Sequence, residues 1–280
     1  MARKFVLAAA LIASASCLPG DPPGNEFMPP GATDQRSACP YLNTLANHGF
    51  VKRSGVAVGR DEVNNAFDVV FNVDPTITNM IFTAALAGTT SSIPDTINYV
   101  DLNQHGLIEH DGSLSRNDAA IGNNFAFNQT IWNQMTMFFT TPLITIEQMA
   151  TARVGRINRQ RAANPIFLFD EKAGMTSLGE TSLVLMTFSN GSIDGGANRQ
   201  QVDTFFTQER LPFDQGFVVP TQRITADRVQ MVGQKITNAT GAGSSIDGAG
   251  SATVASSGSH MGFNLATCIV TLASFAWALL

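Results

Sequence analysis

Cysteine is scarce in this chain: three in 280 residues, at positions 17, 39 and 268. A disulfide-stapled domain is thereby excluded, and packing has to stabilise the fold. Charge is thin as well. Charged residues make up 14 % of the chain, 17 basic against 22 acidic, for a formal net charge of −5. That balance offers no basic face for nucleic acid. The four histidines are scattered without the spacing of a zinc site. Alternating strand patterns are sparse, and no internal repeat is visible.

The ends read as processing signals. Residues 1–17, MARKFVLAAALIASASC, place Arg3 and Lys4 before an apolar stretch and then the small residues Ala13-Ser14-Ala15. This is the pattern of a secretory signal peptide, too short for a membrane span. A cut after Ala15 leaves Cys17 in the mature chain; a later cut removes it. Residues 239–262 form a Gly/Ser/Ala-rich stalk, and 263–280 an uncharged apolar tail. Small residues, a polar spacer and a terminal apolar run match a GPI-anchor signal; a tail-anchoring helix is the alternative. The expectation is a secreted, extracellular protein that meets a membrane only through a lipid anchor. Asn128-Gln-Thr, Asn190-Gly-Ser and Asn238-Ala-Thr are glycosylation acceptors compatible with that. Residues 18–238 then form one domain, long enough for a substantial core.

The body of the chain reads as all-α with long loops. Thr145-Ile-Glu-Gln148 is a capping-box pattern, opening a helix that runs to Ala163 and stops at Asn164-Pro165. Ser177-Leu-Gly-Glu180 repeats the pattern and predicts a helix starting there. Ile131, Met135 and Phe138 sit at helical spacing between residues 131 and 139.

Cys39 lies in "RSACPYLNTLANHGF", Arg36 to Phe50. Pro40 suits the first position of a helix whose apolar face is Leu42, Leu45 and Ala46, with Asn47-His48-Gly49 as its stop. Cys39 therefore stands at a helix N-terminus, where amides and the helix dipole favour thiolate over thiol. Read in isolation, the segment also admits a buried structural cysteine. A second segment, "GLIEHDGSLSRNDAAIGNNFAFN", brings Glu109, His110, Asp111 and Ser113 within five residues. Such oxygen ligands suit Mg²⁺ or Mn²⁺; a polar loop capping the next helix is the plainer alternative. A third, "RVGRINRQRAANPIF" followed by "GMTSLGETSLVLM", contains Glu180. Glu180 either closes a capping box with Ser177 or, sharing a face with Leu183, Val184 and Thr187, points into apolar surroundings.

Taken together, these blocks and the later "ERLPFDQGF" resemble the haem-thiolate peroxidases, the family of chloroperoxidase and the unspecific peroxygenases, in its short, histidine-containing type. The match runs from Arg36 to Phe217, with two departures. Ala38 stands where the family usually has proline, and Gly122-Asn123-Asn124 stands for the usual Gly-Asp-Asn. The resemblance implies a haem b whose axial iron ligand is the Cys39 thiolate. It implies an Mg²⁺ or Mn²⁺ ion near a haem propionate, held by Glu109, Ser113 and the backbone carbonyl of His110. Glu180 is implied as the catalytic acid–base, with the His110 side chain beside it and Asp111 orienting His110. The expected chemistry is oxidation of small, largely apolar organic substrates by H2O2, by oxygenation, one-electron oxidation or halogenation of a substrate with halide. A non-catalytic anchored surface protein and a haem-binding biosynthetic enzyme remain alternatives at this stage. His48 reads as part of a helix stop and His105 as loop.

Overall fold

Proline, asparagine or aspartate stands at most α-helix starts in the computed structural model, which describes residues 20–240. The signal peptide, the stalk and the apolar tail lie outside the described residues. Within them the chain is all-α, as expected. Helix α1 spans Pro40–Asn47, α2 Arg60–Phe71, α3 Pro75–Leu86 and α4 Gln129–Thr136. They are followed by α5 Ile146–Ala163, α6 Glu171–Thr187, α7 Arg199–Gln208 and α8 Ala226–Ala239. Two antiparallel two-residue ladders clip loops together: β1 Val58–Gly59 on β2 Thr96–Ile97, and β3 Leu143–Ile144 on β4 Ala197–Asn198. No described helix is long and apolar enough to cross a membrane.

Helix α8 packs across α5 and α6, α4 lies against α5, and α2 pairs with α3. Short α1 is held by its side chains rather than by its length, since eight residues are too few for an independently stable helix. Leu45 and Ala46 are fully buried. Tyr41 stacks on Phe67, meets Phe71 and Phe205 edge-on, and hydrogen-bonds Thr187 of α6 at 3.0 Å. Burying one such aromatic contributes about 1.5–3 kcal/mol, so the cysteine helix is anchored to α2, α6 and α7 through one ring. Its far end follows the expected stop: His48 is the C-cap and Gly49 takes φ +70°. His48 is buried, its Nδ1–H donating to the Asn25 carbonyl at 2.9 Å and its Nε2 accepting from the Leu211 amide at 3.0 Å.

The Thr145 capping box forms as expected, and Asn164 ends α5. The start of α6 differs from expectation. It begins seven residues earlier, at Glu171, capped by Asp170, whose carboxylate accepts from the Ala173 amide at 2.8 Å. Ser177 is no N-cap; it is buried in mid-helix and its hydroxyl accepts from Arg153 Nε at 2.9 Å. The third helix also shifts: Asn128 caps α4, which ends at Thr136, so Phe138 and Phe139 lie beyond it. That capping engages Asn128 fully. Its Oδ1 accepts from the Thr130 and Ile131 amides and its Nδ2 donates to Asn117 at 3.3 Å. Asn128 is therefore the cap of α4, and Asn238 is exposed.

Candidate active site

Cys39 caps α1 with extended backbone, φ −84° and ψ 110°, and its side chain is partly buried against the core. The turn before it is clamped from three sides. The Cys39 amide donates to Ser37 Oγ at 3.2 Å, and the Ala38 amide to Asn103 Oδ1 at 2.8 Å. Asn43 on α1 reaches back to both the amide (2.9 Å) and carbonyl (2.8 Å) of Ser37. Asn43 also donates to Glu209 Oε1 at 2.8 Å, and the same oxygen accepts from the fully buried Arg116. The conformation of the cysteine is thus fixed by residues from four parts of the chain.

Its ionisation runs against the expectation from helix position. Burial pushes the Cys39 thiol up to about 11, and the Glu180 carboxylate adds to the rise. The Leu42 and Tyr41 amides and the Arg116 guanidinium pull the other way but do not win. Desolvation outweighs the helix terminus, so a cation bound to the sulfur, which deprotonates a thiol outright, is needed for a thiolate at neutral pH. Among the charges that act on the sulfur is the Glu180 carboxylate of α6.

Glu180 is half exposed, at 52 % of its side chain, rather than packed in apolar surroundings. Its face-mates Leu183, Val184 and Thr187 are buried, so Glu180 stands at the edge of the apolar face. Its Oε2 lies 3.5 Å from Nε2 of the buried His110. His110 is oriented by Asp111, but through the backbone carbonyl, which accepts from Nδ1–H at 2.7 Å, and not through the carboxylate. With Nδ1 carrying a proton, a favourable Nε2···Oε2 contact needs one more, on the imidazole or on the carboxyl. Burial alone would lower the His110 pKa; the Glu180 carboxylate, followed by the Asp111 carbonyl, leaves it raised. The imidazole is thus favoured in its protonated form, facing the carboxylate.

The Asp111 carboxylate serves the scaffold instead. Its Oδ2 accepts from Asn164 Nδ2 at 3.2 Å and the Leu168 amide at 2.9 Å. Asn164 Nδ2 also reaches Asp118 Oδ2 at 3.0 Å, and Asp118 Oδ1 accepts from the Gly112 amide at 2.9 Å. Arg156, buried in α5, donates to the carbonyls of Ser113 (3.0 Å) and Arg116 (2.9 Å). The segment from Glu109 to Arg116 is thus held by one asparagine and one arginine from α5 and its cap. Beside it, Phe169 meets the His110 ring edge-on, 5.9 Å between centroids.

Glu109 is buried, its side chain 2 % exposed, with Oε2 accepting from His105 Nδ1 at 2.8 Å. Its Oε1 makes no hydrogen bond. The nearby Asn124 amide donates to the Asn103 carbonyl at 2.9 Å. Burial raises the Glu109 pKa against the opposing effects of His105 and Asn124. An orphaned buried carboxylate oxygen fits a divalent cation; the Ser113 carbonyl is occupied by Arg156, so only its hydroxyl could add a further oxygen. No group of three His, Cys, Asp or Glu side chains among the described residues forms a metal cluster, so a cation here would rest on Glu109 with neutral oxygens.

The sequence of residues 25–222 matches the family model for peroxidase, family 2. The chain belongs to that family. It is 31 % identical over 210 residues to an aromatic peroxygenase of Cyclocybe aegerita, covering 68 % of this chain and 56 % of that protein. With an aromatic peroxygenase of Coprinellus radians it shares 30 % identity over 214 residues, covering 68 % and 80 %. A chloroperoxidase of Leptoxyphium fumago is 34 % identical over 122 residues, covering 39 % and 33 %. The chain thus spans little more than half the length of the Cyclocybe relative.

The two departures from the peroxidase family 2 pattern both have a local account. Ala38 supplies an N–H that proline could not, and Asn103 uses it. Asn123 Oδ1 accepts from the Phe125 and Ala126 amides at 3.0 and 2.8 Å, an acceptor role that aspartate would fill equally. Sequence reasoning missed Asn103, Arg116, Arg156, Asn164 and Glu209 as parts of the site, and took His105 for loop although it binds Glu109. Only Arg156 of these lies within an α-helix; the others sit in loops or at element ends, where a polar residue carries no signal of its own.

Proposed function

We propose that this chain is a secreted or surface-anchored haem-thiolate peroxidase of the peroxygenase type, using H2O2 to oxidise small, largely apolar organic compounds. Haem b would be held by the Cys39 thiolate, and a divalent cation, Mg²⁺ or Mn²⁺, by Glu109, the His110 carbonyl and the Ser113 hydroxyl. The haem, when bound, supplies peroxide cleavage and substrate oxidation, and thiolate ligation favours breaking the O–O bond. This chain's own residues supply the proton traffic. Glu180, as carboxylate, takes the proton from the peroxide oxygen and returns it to the departing oxygen, which leaves as water. His110, fixed by the Asp111 carbonyl, holds Glu180 in place and lends or takes the shared proton. The names of the Cyclocybe and Coprinellus relatives favour aromatic substrates; halide oxidation is the accessory activity suggested by the Leptoxyphium relative.

The observation that carries this reading is the contact of Glu180 with the buried His110, 3.5 Å apart, in a fold where the same carboxylate acts on the Cys39 thiol. The deciding measurement is the spectrum of the reduced, haem-loaded protein under carbon monoxide. A strongly red-shifted Soret band, absent in Cys39→Ala, is expected. A histidine-type band, or a colourless protein after haem supplementation, overturns the proposal.

A further inference from the structure

Segment 105–111 contains a side-chain contact that the functional reading leaves unused. His105 Nδ1 lies 2.8 Å from Glu109 Oε2 and 3.9 Å from Asp111 Oδ1. Both carboxylates are nearly inaccessible, 2 % exposed each, and each keeps one oxygen without a hydrogen-bond partner, Oε1 of Glu109 and Oδ1 of Asp111. Facing a carboxylate, Nδ1 is the protonated ring nitrogen, and its bond leaves Glu109 a single oxygen free. The backbone reinforces the arrangement. The Gly106 amide donates to the Glu109 carbonyl at 3.0 Å, with Gly106 at φ +81°, folding His105 back onto the glutamate four residues later. Lys172 of α6 ties the turn down through the Gly106 carbonyl at 3.0 Å. His105, Glu109, His110 and Lys172 share the wall of a cavity of about 80 Å³, and the imidazole is 35 % exposed to it and to solvent.

We propose that His105 is a positioning residue for the divalent-cation site: by binding Oε2 it sets the plane of the Glu109 carboxylate and leaves Oε1 as the oxygen presented to the ion. This rests on the cation reading above. A free carboxylate on a three-bond stem rotates; one anchored through one oxygen is preorganised, and outer partners of this kind typically govern metal affinity by about 10–100-fold. The role differs from a purely structural one because it acts on the cation's affinity and not on the protein's cohesion.

The test is titration of Mn²⁺ alone into the haem-loaded full chain after chelator treatment, following the free Mn²⁺ signal by electron paramagnetic resonance. His105→Leu and His105→Ala, both without a donor, are expected to weaken Mn²⁺ binding by about 10–100-fold. His105→Asn, whose amide can occupy the place of Nδ1–H, is expected to recover most of the affinity. The Soret spectrum and thermal midpoint are expected to stay near those of the parent, because the imidazole is exposed on one side. Two donor-free variants of different size keep the test intact if one of them fails to fold. Unchanged Mn²⁺ affinity in a folded donor-free variant overturns the positioning role while the cation reading stands. A parent protein that takes up no Mn²⁺ overturns the cation reading and the proposal with it.

Discussion

Asn164→Ala is the sharpest probe of how the distal segment is held. One amide nitrogen donates to two buried carboxylates, Asp111 Oδ2 at 3.2 Å and Asp118 Oδ2 at 3.0 Å, while its own carbonyl oxygen accepts from the Ile166 amide at 3.1 Å. Removing it deprives each acid of a donor with no route to water. A hydrogen bond to a charged group is worth roughly 1.5–3 kcal/mol, and the neutral one about 0.5–1.5 kcal/mol. Asp111 retains the Leu168 amide and Asp118 the Gly112 amide, so the low end applies, and the loss is about 3–5 kcal/mol. For a domain of this size that lowers the melting temperature by roughly 6–20 °C. The penalty has a pH signature. Burial raises the Asp111 pKa in the folded protein, with Asp118 adding to the rise against the Leu168 amide, so the fold binds that proton more tightly than the unfolded chain. The proton-linked stabilisation is present below the ordinary carboxylate value of 3.8 and is lost as pH rises through the folded value. Removing the Asn164 donor raises the folded value further, so the variant suffers most at neutral pH and least in acid. Thermal unfolding of both proteins at pH 4.5 and pH 7.5 measures this. A loss under about 2 °C at pH 7.5, or an equal loss at both values, refutes the reasoning.

Glu180→Gln is expected to retain haem and to reduce peroxide-dependent turnover by about 10²–10⁴-fold, the usual contribution of a positioned acid–base group. In the same variant burial acts on His110 against only the Asp111 carbonyl and the Glu109 carboxylate, and the imidazole pKa falls relative to the parent, as read by NMR. The stability contributed by the pair is full below the ordinary imidazole value of 6.5 and fades as pH rises through the raised one; that step disappears from the variant's pH–stability profile. Glu209→Ala leaves the fully buried Arg116 guanidinium without its carboxylate and Asn43 with only the Ser37 carbonyl as acceptor. About 3–5 kcal/mol of destabilisation is expected from the stranded charge, measured by chemical denaturation, with faster haem loss because Asn43 is what pins Ser37 before the cysteine. Denaturation within about 1 kcal/mol of the parent counts against the network.

The parts of the fold legible in the sequence are those whose cause is local. Thr145 and Gln148 cap each other across three residues, and Pro40 and Gly49 bracket α1 by backbone preference alone. Ser177 and Glu180 show the same spacing without the same outcome, because Arg153, 24 residues earlier, takes the serine hydroxyl and the helix runs through both. A capping pattern is a statement about unpaired amides, and Asp170 had already met that need one turn and more upstream. Most of the candidate chemical groups were legible because Glu109, His110, Asp111 and Ser113 share one short segment, and Cys39 and Glu180 carry reactive atoms whatever their surroundings. Their supports were not. Asn43 meets Glu209 across 166 residues, Arg116 meets Glu209 across 93, and Ala38 meets Asn103 across 65. No period or spacing in a single chain encodes such pairs. They also recast the thin charge of the sequence: Arg116, Arg153 and Arg156 are all buried, each joining two segments distant in the sequence. In a domain with one described cysteine and no disulfide, buried guanidinium groups do the cross-linking. Where the family pattern has proline before the cysteine, this chain has an alanine whose amide is bound by Asn103. Stiffness built into a ring has been exchanged for a hydrogen bond to the segment that leads on to His105 and Glu109. The turn that carries Cys39 is therefore joined through Asn103 to the segment that carries Glu109, a coupling that a proline at position 38 could not make.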